Sequence, residues 1–313
     1  GTNLKITNNY ILSLTIITIL AASVLMHKYV ELKRYKSSFS KFFYIILSIS
    51  LLFIFSSNFI SKTKFNRLKV EEKKIFNSYY DKNTYRCGTK FKLTKPFETI
   101  CQINKFENLN KVILLGDSHA NSLKKVFNNN MSQNQISSYF YSSHFPLVQS
   151  RHLEKIIFQN IIQSEITHVI LHFNPDFYKS QIYLDELSLL IKRLNDSKIK
   201  IDLIAPVPIA TYHVPRALYR KAKNFEEELK KITVKDYFEQ NKIFFNFIKM
   251  NSSKFNTIHY PHKYLCPNTV ECLIDVDGIP LFFDSNHLTI TGANILNPIF
   301  SIITQNIIKN YDP

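Results

Sequence analysis

Apolar residues in this chain come first as two long uncharged runs and then as short runs separated by helical or turn-like stretches. Neither Ile6–Met26 nor Phe42–Ser61 contains an Asp, Glu, Lys or Arg. Each run approaches the roughly 20 apolar residues that cross a bilayer core, so the pattern predicts a membrane hairpin over residues 1–61. A signal peptide is the rival reading of the first run, but the basic start and small-residue cleavage site are missing and a second run follows directly. A pair of buried core helices is the other alternative. The intervening loop carries His27, Lys28, Glu31, Lys33, Arg34, Lys36 and Lys41 and is expected to stay cytoplasmic. Lys62, Lys64, Arg67, Lys69, Lys73 and Lys74 after the second run make the charge rule alone ambiguous.

Residues 62–110 are polar, rich in Tyr and Lys and contain the first cysteine pair, which reads as a linker plus a short extension docked on the next domain. From residue 111 the pattern changes to alternation. Strands are predicted at Val112–Leu115, Ile136–Tyr141, His168–Phe173 and Ile199–Pro206, and helices at about Ala120–Asn130, Leu153–Gln163 and Leu184–Leu194. Phe225–Lys249 reads as charged and helical, Phe255–Tyr260 and Pro280–Phe283 as short strands, and Leu288–Ile308 as a closing helix interrupted at Pro298. Strands alternating with helices predict an α/β domain over residues 111–313, with a parallel sheet covered on both faces and ligands at the carboxyl ends of its strands.

Composition changes this picture little. Lys and Arg outnumber Asp and Glu by 40 to 24, which favours a membrane surface or anionic glycan as partner, a solvated basic face being the alternative. Nucleic acid is set aside, because the lysines are dispersed and no binding signature accompanies them. The four cysteines form two local pairs, Cys87 with Cys101 and Cys266 with Cys272, each compatible with a loop-closing bridge. Three connectivities remain open from sequence. Neither pair has Cys-x-x-Cys spacing, so disulfides in an oxidising compartment are expected rather than a metal or redox site. Those cysteines favour export of the large domain.

The candidate chemistry begins where Val112–Leu115 runs into Gly116-Asp117-Ser118-His119. A serine at a strand-to-helix turn has its Oγ lifted off the sheet edge, with unsatisfied helix N–H groups beside it to receive an oxyanion. Asp117 reads as the turn or cap residue that shapes this loop. Far downstream, Asp284-Ser285-Asn286-His287 puts an acid three residues before a histidine, a spacing that lets the carboxylate hold one ring nitrogen while the other serves as general base. The remaining histidines, His119, His144, His168, His172, His213, His259 and His262, lack metal-ligand spacing and read as structural.

Gly116-Asp117-Ser118-His119, together with Asp284-Ser285-Asn286-His287-Leu288-Thr289 and Gly292-Ala293, resembles the first and last blocks of the SGNH (GDSL-like) hydrolases. The similarity is to the branch fused to membrane acyltransferase-3 domains. It implies a flavodoxin-like three-layer fold and a catalytic set of Ser118, His287 and Asp284. It also implies an oxyanion hole from the Ser118 N–H, a second-block N–H and a third-block asparagine. Ser143, in Ser142-Ser143-His144-Phe145-Pro146-Leu147, stands at the second block, although His144 and Phe145 depart from it and its glycine is missing. Asn174, in His172-Phe173-Asn174-Pro175-Asp176, stands at the third, also without its glycine, and a plain Asn-Pro turn is the alternative there.

His27-Lys28-Tyr29-Val30-Glu31 is similar to the end of the tenth helix of an acyltransferase-3 domain, which implies that the chain is the C-terminal part of a longer protein. The expected activity is acetyl transfer to a cell-surface glycan such as lipopolysaccharide O-antigen or core, at the bacterial inner membrane with the SGNH domain in the periplasm. Acetyl-CoA is the implied donor, used through the acyltransferase-3 part in cis, with no cofactor bound by this region. A carbohydrate esterase running the same acyl-enzyme to water, and a non-catalytic glycan-binding module, are the rival expectations.

Overall fold

A computed structural model describes residues 23–24, 27–28, 39–94, 100–107, 110–142, 153–225 and 229–309. The chain divides into two units, residues 1–68 and 69–313. In the first, a helix spans Phe39–Asn66 and exposes the consecutive apolar side chains Leu51, Leu52, Phe53, Ile54 and Phe55. Among the described residues no helix is long and apolar enough to cross a membrane, so the expected hairpin is not shown. Most of its first span, Ile6–Met26, lies outside the described residues.

The second unit is built on a six-stranded sheet of order β1-β3-β2-β4-β5-β7. Its strands are β1 (Cys101–Asn104), β2 (Lys111–Gly116), β3 (Ser137–Ser142), β4 (His168–His172), β5 (Lys200–Ile204) and β7 (Thr257–His259), while β6 (Ile232–Thr233) pairs elsewhere. All sheet pairings are parallel except that of β1 with β3. The parallel strands follow the doubly wound, flavodoxin-like order, in which chain direction across the sheet reverses between β2 and β4.

The unbroken apolar run of β2 makes sense in this setting, because both faces of the strand are covered. Val112 and Leu114 join the core beneath the helices Ser118–Gln133 and Asn297–Lys309. Ile113 and Leu115 join the opposite core with Ile157, Ile161, Leu187, Leu190, Phe244 and Phe247. All four β2 side chains are fully buried, each worth about 1.5–3 kcal/mol relative to exposure.

Several expectations need correction. The Ala120–Asn130 helix begins earlier, at Ser118, and runs to Gln133, because Asp117 caps it. Phe225–Lys249 is not one helix but β6 followed by Val234–Gln240 and Lys242–Asn251. Pro298 falls in the first turn of Asn297–Lys309, where a missing N–H costs nothing, and the break lies before it. The extension expected within residues 62–110, by contrast, comprises helices Val70–Asn77 and Gly88–Thr94 and the edge strand β1. Disulfides join Cys87 to Cys101 and Cys266 to Cys272. The first ties this segment to the sheet edge.

Candidate active site

Gly116 ends β2 where the backbone passes against β4. A Cβ built on it would lie 1.8 Å from the His172 carbonyl oxygen and 2.7 Å from Ala120 Cβ, so only glycine fits. The chain then turns through Asp117 into the helix Ser118–Gln133. The Asp117 carboxylate is buried and accepts two backbone N–H bonds, from His119 at 2.8 Å and from Asn174 at 2.9 Å. One side chain therefore fixes the serine turn and fastens it to the loop after β4. Burial pushes the Asp117 carboxyl up to about 6, although both N–H donors oppose the shift. The Asp117 carbonyl also receives the Ser142 hydroxyl from the end of β3, at 2.7 Å.

The second half of the site arrives on the loop after Ile279–Pro280. Asp284 Oδ1 accepts the N–H groups of Asn286, 2.9 Å away, and His287, 2.8 Å away, closing a tight Asx-type turn. Asp284 Oδ2 is left to meet His287 Nδ1, at 2.7 Å. Partial burial would raise the Asp284 carboxyl, but the hydrogen bonds from the His287 ring and the two N–H groups outweigh it and bring it down to about 2. With Nδ1 engaged, His287 presents Nε2 to Ser118 Oγ at 2.8 Å, across 169 residues of sequence. The Phe283 ring lies parallel to the imidazole at 5.4 Å. Thr289 caps the following helix through Gly292 N–H, and a Cβ on Gly292 would strike the Leu281 carbonyl at 2.1 Å. Ser118, His287 and Asp284 thus stand in one hydrogen-bonded row at the carboxyl end of β2, beside the point where chain direction reverses.

Asn174 is brought to the same place. Its side-chain Oδ1 accepts Phe177 N–H at 2.9 Å and caps the short helix Pro175–Lys179, which leaves the amide Nδ2 as the end free to donate. The Asn-Pro turn and a donor role are therefore compatible in one residue. Ser118, as the first helical residue, has an N–H without an intrahelical acceptor. Ser143 lies outside the described residues.

His119 is the residue that sequence reading left out of the site. Its ring is buried, 4.8 Å from that of His287 and 6.2 Å from that of His172, and neither of its ring nitrogens has a hydrogen-bond partner among the described residues. Burial, reinforced by His287, holds its pKa well below the ordinary histidine value. His172 gives Nδ1 to the Ile204 carbonyl at 3.1 Å and is held by burial down to about 4. The His119 ring thus neighbours both His287 and His172. Sequence spacing marked His172 only as one of the structural histidines, and nothing in sequence distinguishes His119 from a surface residue of a first helical turn. Among the described residues no cluster of His, Cys, Asp or Glu could hold a metal ion.

The SGNH domain fused to AT3 domains matches residues 86–301. Among solved structures, the periplasmic domain of a lipopolysaccharide acetyltransferase from Salmonella ser. Paratyphi A is similar in fold, with a TM-score of 0.54 and 17% identity over 78% of this chain and 99% of that one. A GDSL-like lipase from Bacteroides thetaiotaomicron VPI-5482 has a TM-score of 0.42 and 11% identity over 71% of this chain and 97% of that one. No curated protein sequence matches. The matched region takes in Ser118, Asp284 and His287 and spans more than half of the chain, which therefore belongs to the family of SGNH domains fused to AT3 domains.

Proposed function

We propose that this protein transfers an acyl group, acetyl in the first instance, to a hydroxyl of a cell-surface polysaccharide such as lipopolysaccharide, through an acyl-enzyme on Ser118. The observation that carries this reading is the continuous row from Ser118 Oγ through His287 to Asp284, with contacts of 2.8 and 2.7 Å. His287 Nε2 takes the Ser118 hydroxyl proton as Oγ bonds to the donor's acyl carbon, and returns it to the departing group. The acceptor hydroxyl then gives its proton to the same nitrogen while its oxygen attacks the acyl-enzyme, and Ser118 recovers a proton as its ester bond breaks. Asp284 holds the Nδ1–H tautomer and offsets the charge that develops on the ring. Ser118 N–H, Asn174 Nδ2 and Ser143 N–H are the donors assigned to the oxyanion.

The family's fusion to AT3 domains supports an AT3 partner in cis that delivers acetyl derived from acetyl-CoA. Two disulfides support an oxidising, periplasmic setting for residues 69–313. The uncharged runs Ile6–Met26 and Phe42–Ser61, with Leu51–Phe55 exposed, support an inner-membrane anchor. Mass spectrometry of surface glycans from cells carrying wild-type or Ser118→Ala protein tests the proposal. Acetylated glycan lost in the variant supports it. Acetylation retained in Ser118→Ala means that acetyl reaches the glycan without this serine, and excess acetylation in a deletion strain means the domain is an esterase.

A further inference from the structure

The segment just before the first cysteine touches both halves of the site. Asp81 accepts two consecutive N–H groups from the start of the helix that follows His287: Ile290 gives to its carbonyl at 2.9 Å and Thr291 to its carboxylate at 3.0 Å. Next to it, the Lys82 ammonium lies 5.6 Å over the ring of Phe283, which is itself stacked on the His287 imidazole. The histidine loop is thereby held at both ends, before Asp284 and after His287.

The same few residues grip the serine-bearing helix. Asn83 gives its amide to the Ser122 carbonyl at 2.8 Å, and Asn121 Oδ1 receives Arg86 N–H at 2.9 Å. Lys124, on that helix, donates to the Thr84 and Arg86 carbonyls, each at 2.5 Å. Cys87 then anchors the strap to β1.

We propose that Asp81–Arg86 is a clamp setting the distance between the nucleophile and its base, with Asp81 as the positioning residue that holds the His287 loop. Ser118 and His287 come from elements 169 residues apart, and the clamp bonds to both of those elements. A relay of this kind loses rate steeply when its members move by an ångström. Asp81 lies before residues 86–301, so the family match does not reach it. The inference rests on the serine chemistry proposed above.

The test uses the full chain and two readouts. In the first, the rate of serine labelling by a fluorophosphonate and the kinetics of p-nitrophenyl acetate hydrolysis are compared for wild type, Asp81→Ala and Asp81→Asn, well below their melting temperatures. Asp81→Ala is expected to lower the labelling rate and kcat about tenfold with KM unchanged. Asp81→Asn, which keeps an oxygen for Thr291 N–H, should recover to within about threefold of wild type. In the second, hydrogen exchange is followed at residues 287–291, which should quicken in Asp81→Ala and not in Asp81→Asn. A folded Asp81→Ala chain with wild-type labelling and exchange overturns the clamp. Wild-type protein that never labels refutes the serine chemistry, and the exchange comparison still decides whether Asp81 holds the loop. Should Asp81→Ala fail to fold, Asn83→Ala loosens the same clamp from the serine side and should quicken exchange at residues 119–122.

Discussion

Two Asp–His pairs in this protein have the same contact distance and different surroundings. At the carboxyl end of the sheet, Asp284 Oδ2 meets His287 Nδ1 at 2.7 Å, both side chains are partly open to solvent, and the second ring nitrogen faces a serine. Inside the sheet, Asp202 Oδ2 meets His168 Nε2 at 2.7 Å, both side chains are buried, and Asp202 is further held by Asn256 at 3.2 Å. Burial alone would push the Asp202 carboxyl up, but the hydrogen bond from His168 and the nearby His259 ring, 3.8 Å away, outweigh it and hold it well below the usual range. The difference teaches that an Asp–His contact is not a signature of catalysis. His168 opens β4 at its amino end, with nothing to activate, whereas His287 stands where the strands end and a nucleophile can reach it.

Substitutions should separate the pairs. Ser118→Ala and His287→Ala are expected to lower ester hydrolysis about 10⁶-fold, and Asp284→Asn about 10⁴-fold, with each variant's thermal midpoint near wild type. The inner pair should behave in the opposite way. Asp202→Ala leaves a buried histidine without its acceptor and is expected to cost about 3 kcal/mol in denaturant unfolding, while folded molecules label with fluorophosphonate at the wild-type rate. Comparable activity loss in Asp202→Ala at full folding would erase the distinction.

Gly116→Ala sharpens the comparison from the backbone side. The methyl group must displace the His172 carbonyl, 1.8 Å away, so about 3 kcal/mol of stability should be lost by calorimetry and the Ser118 turn should shift with it.

The smallest effect expected is on pH. His172, held down to about 4 from an ordinary 6.5, stays neutral in the fold while the unfolded chain takes up a proton, so its contribution is present above about 6.5 and is lost as pH falls. Between pH 7 and 5 this amounts to about 2 kcal/mol. His119 acts in the same direction. Asp117, raised to about 6, acts oppositely: its buried carboxylate destabilises the fold as pH rises, so acidification over the same range returns about 1 kcal/mol. The net expectation is a chain less stable at pH 5 than at pH 7, with a weaker pH dependence in His172→Gln by urea titration.

What could be read from sequence follows from range. The apolar run Val112–Leu115, the serine turn and the Asp284–His287 spacing are local patterns that one strand, one cap or one loop dictates, and each is found where expected. The antiparallel β1, held by a disulfide and by Asn104 Oδ1 accepting Ser138 N–H at 2.6 Å, has no alternation to announce it in a four-residue strand. The helix Val214–Ala222 is not among the elements predicted from periodicity; its Pro215 occupies the first turn, where proline is tolerated. His119 beside His287, and Asp81 reaching Thr291 across 210 residues, depend on tertiary contacts that no window of sequence contains.

Ser118 as the acyl carrier is the centre of this account, and the most direct measurement is peptide mass spectrometry of the full chain after brief exposure to an activated acetyl ester. The account predicts acetyl on the peptide containing Ser118, absent in His287→Ala and discharged when a glycan hydroxyl is supplied. Acetyl found on another residue, or on Ser118 equally in His287→Ala, would contradict it.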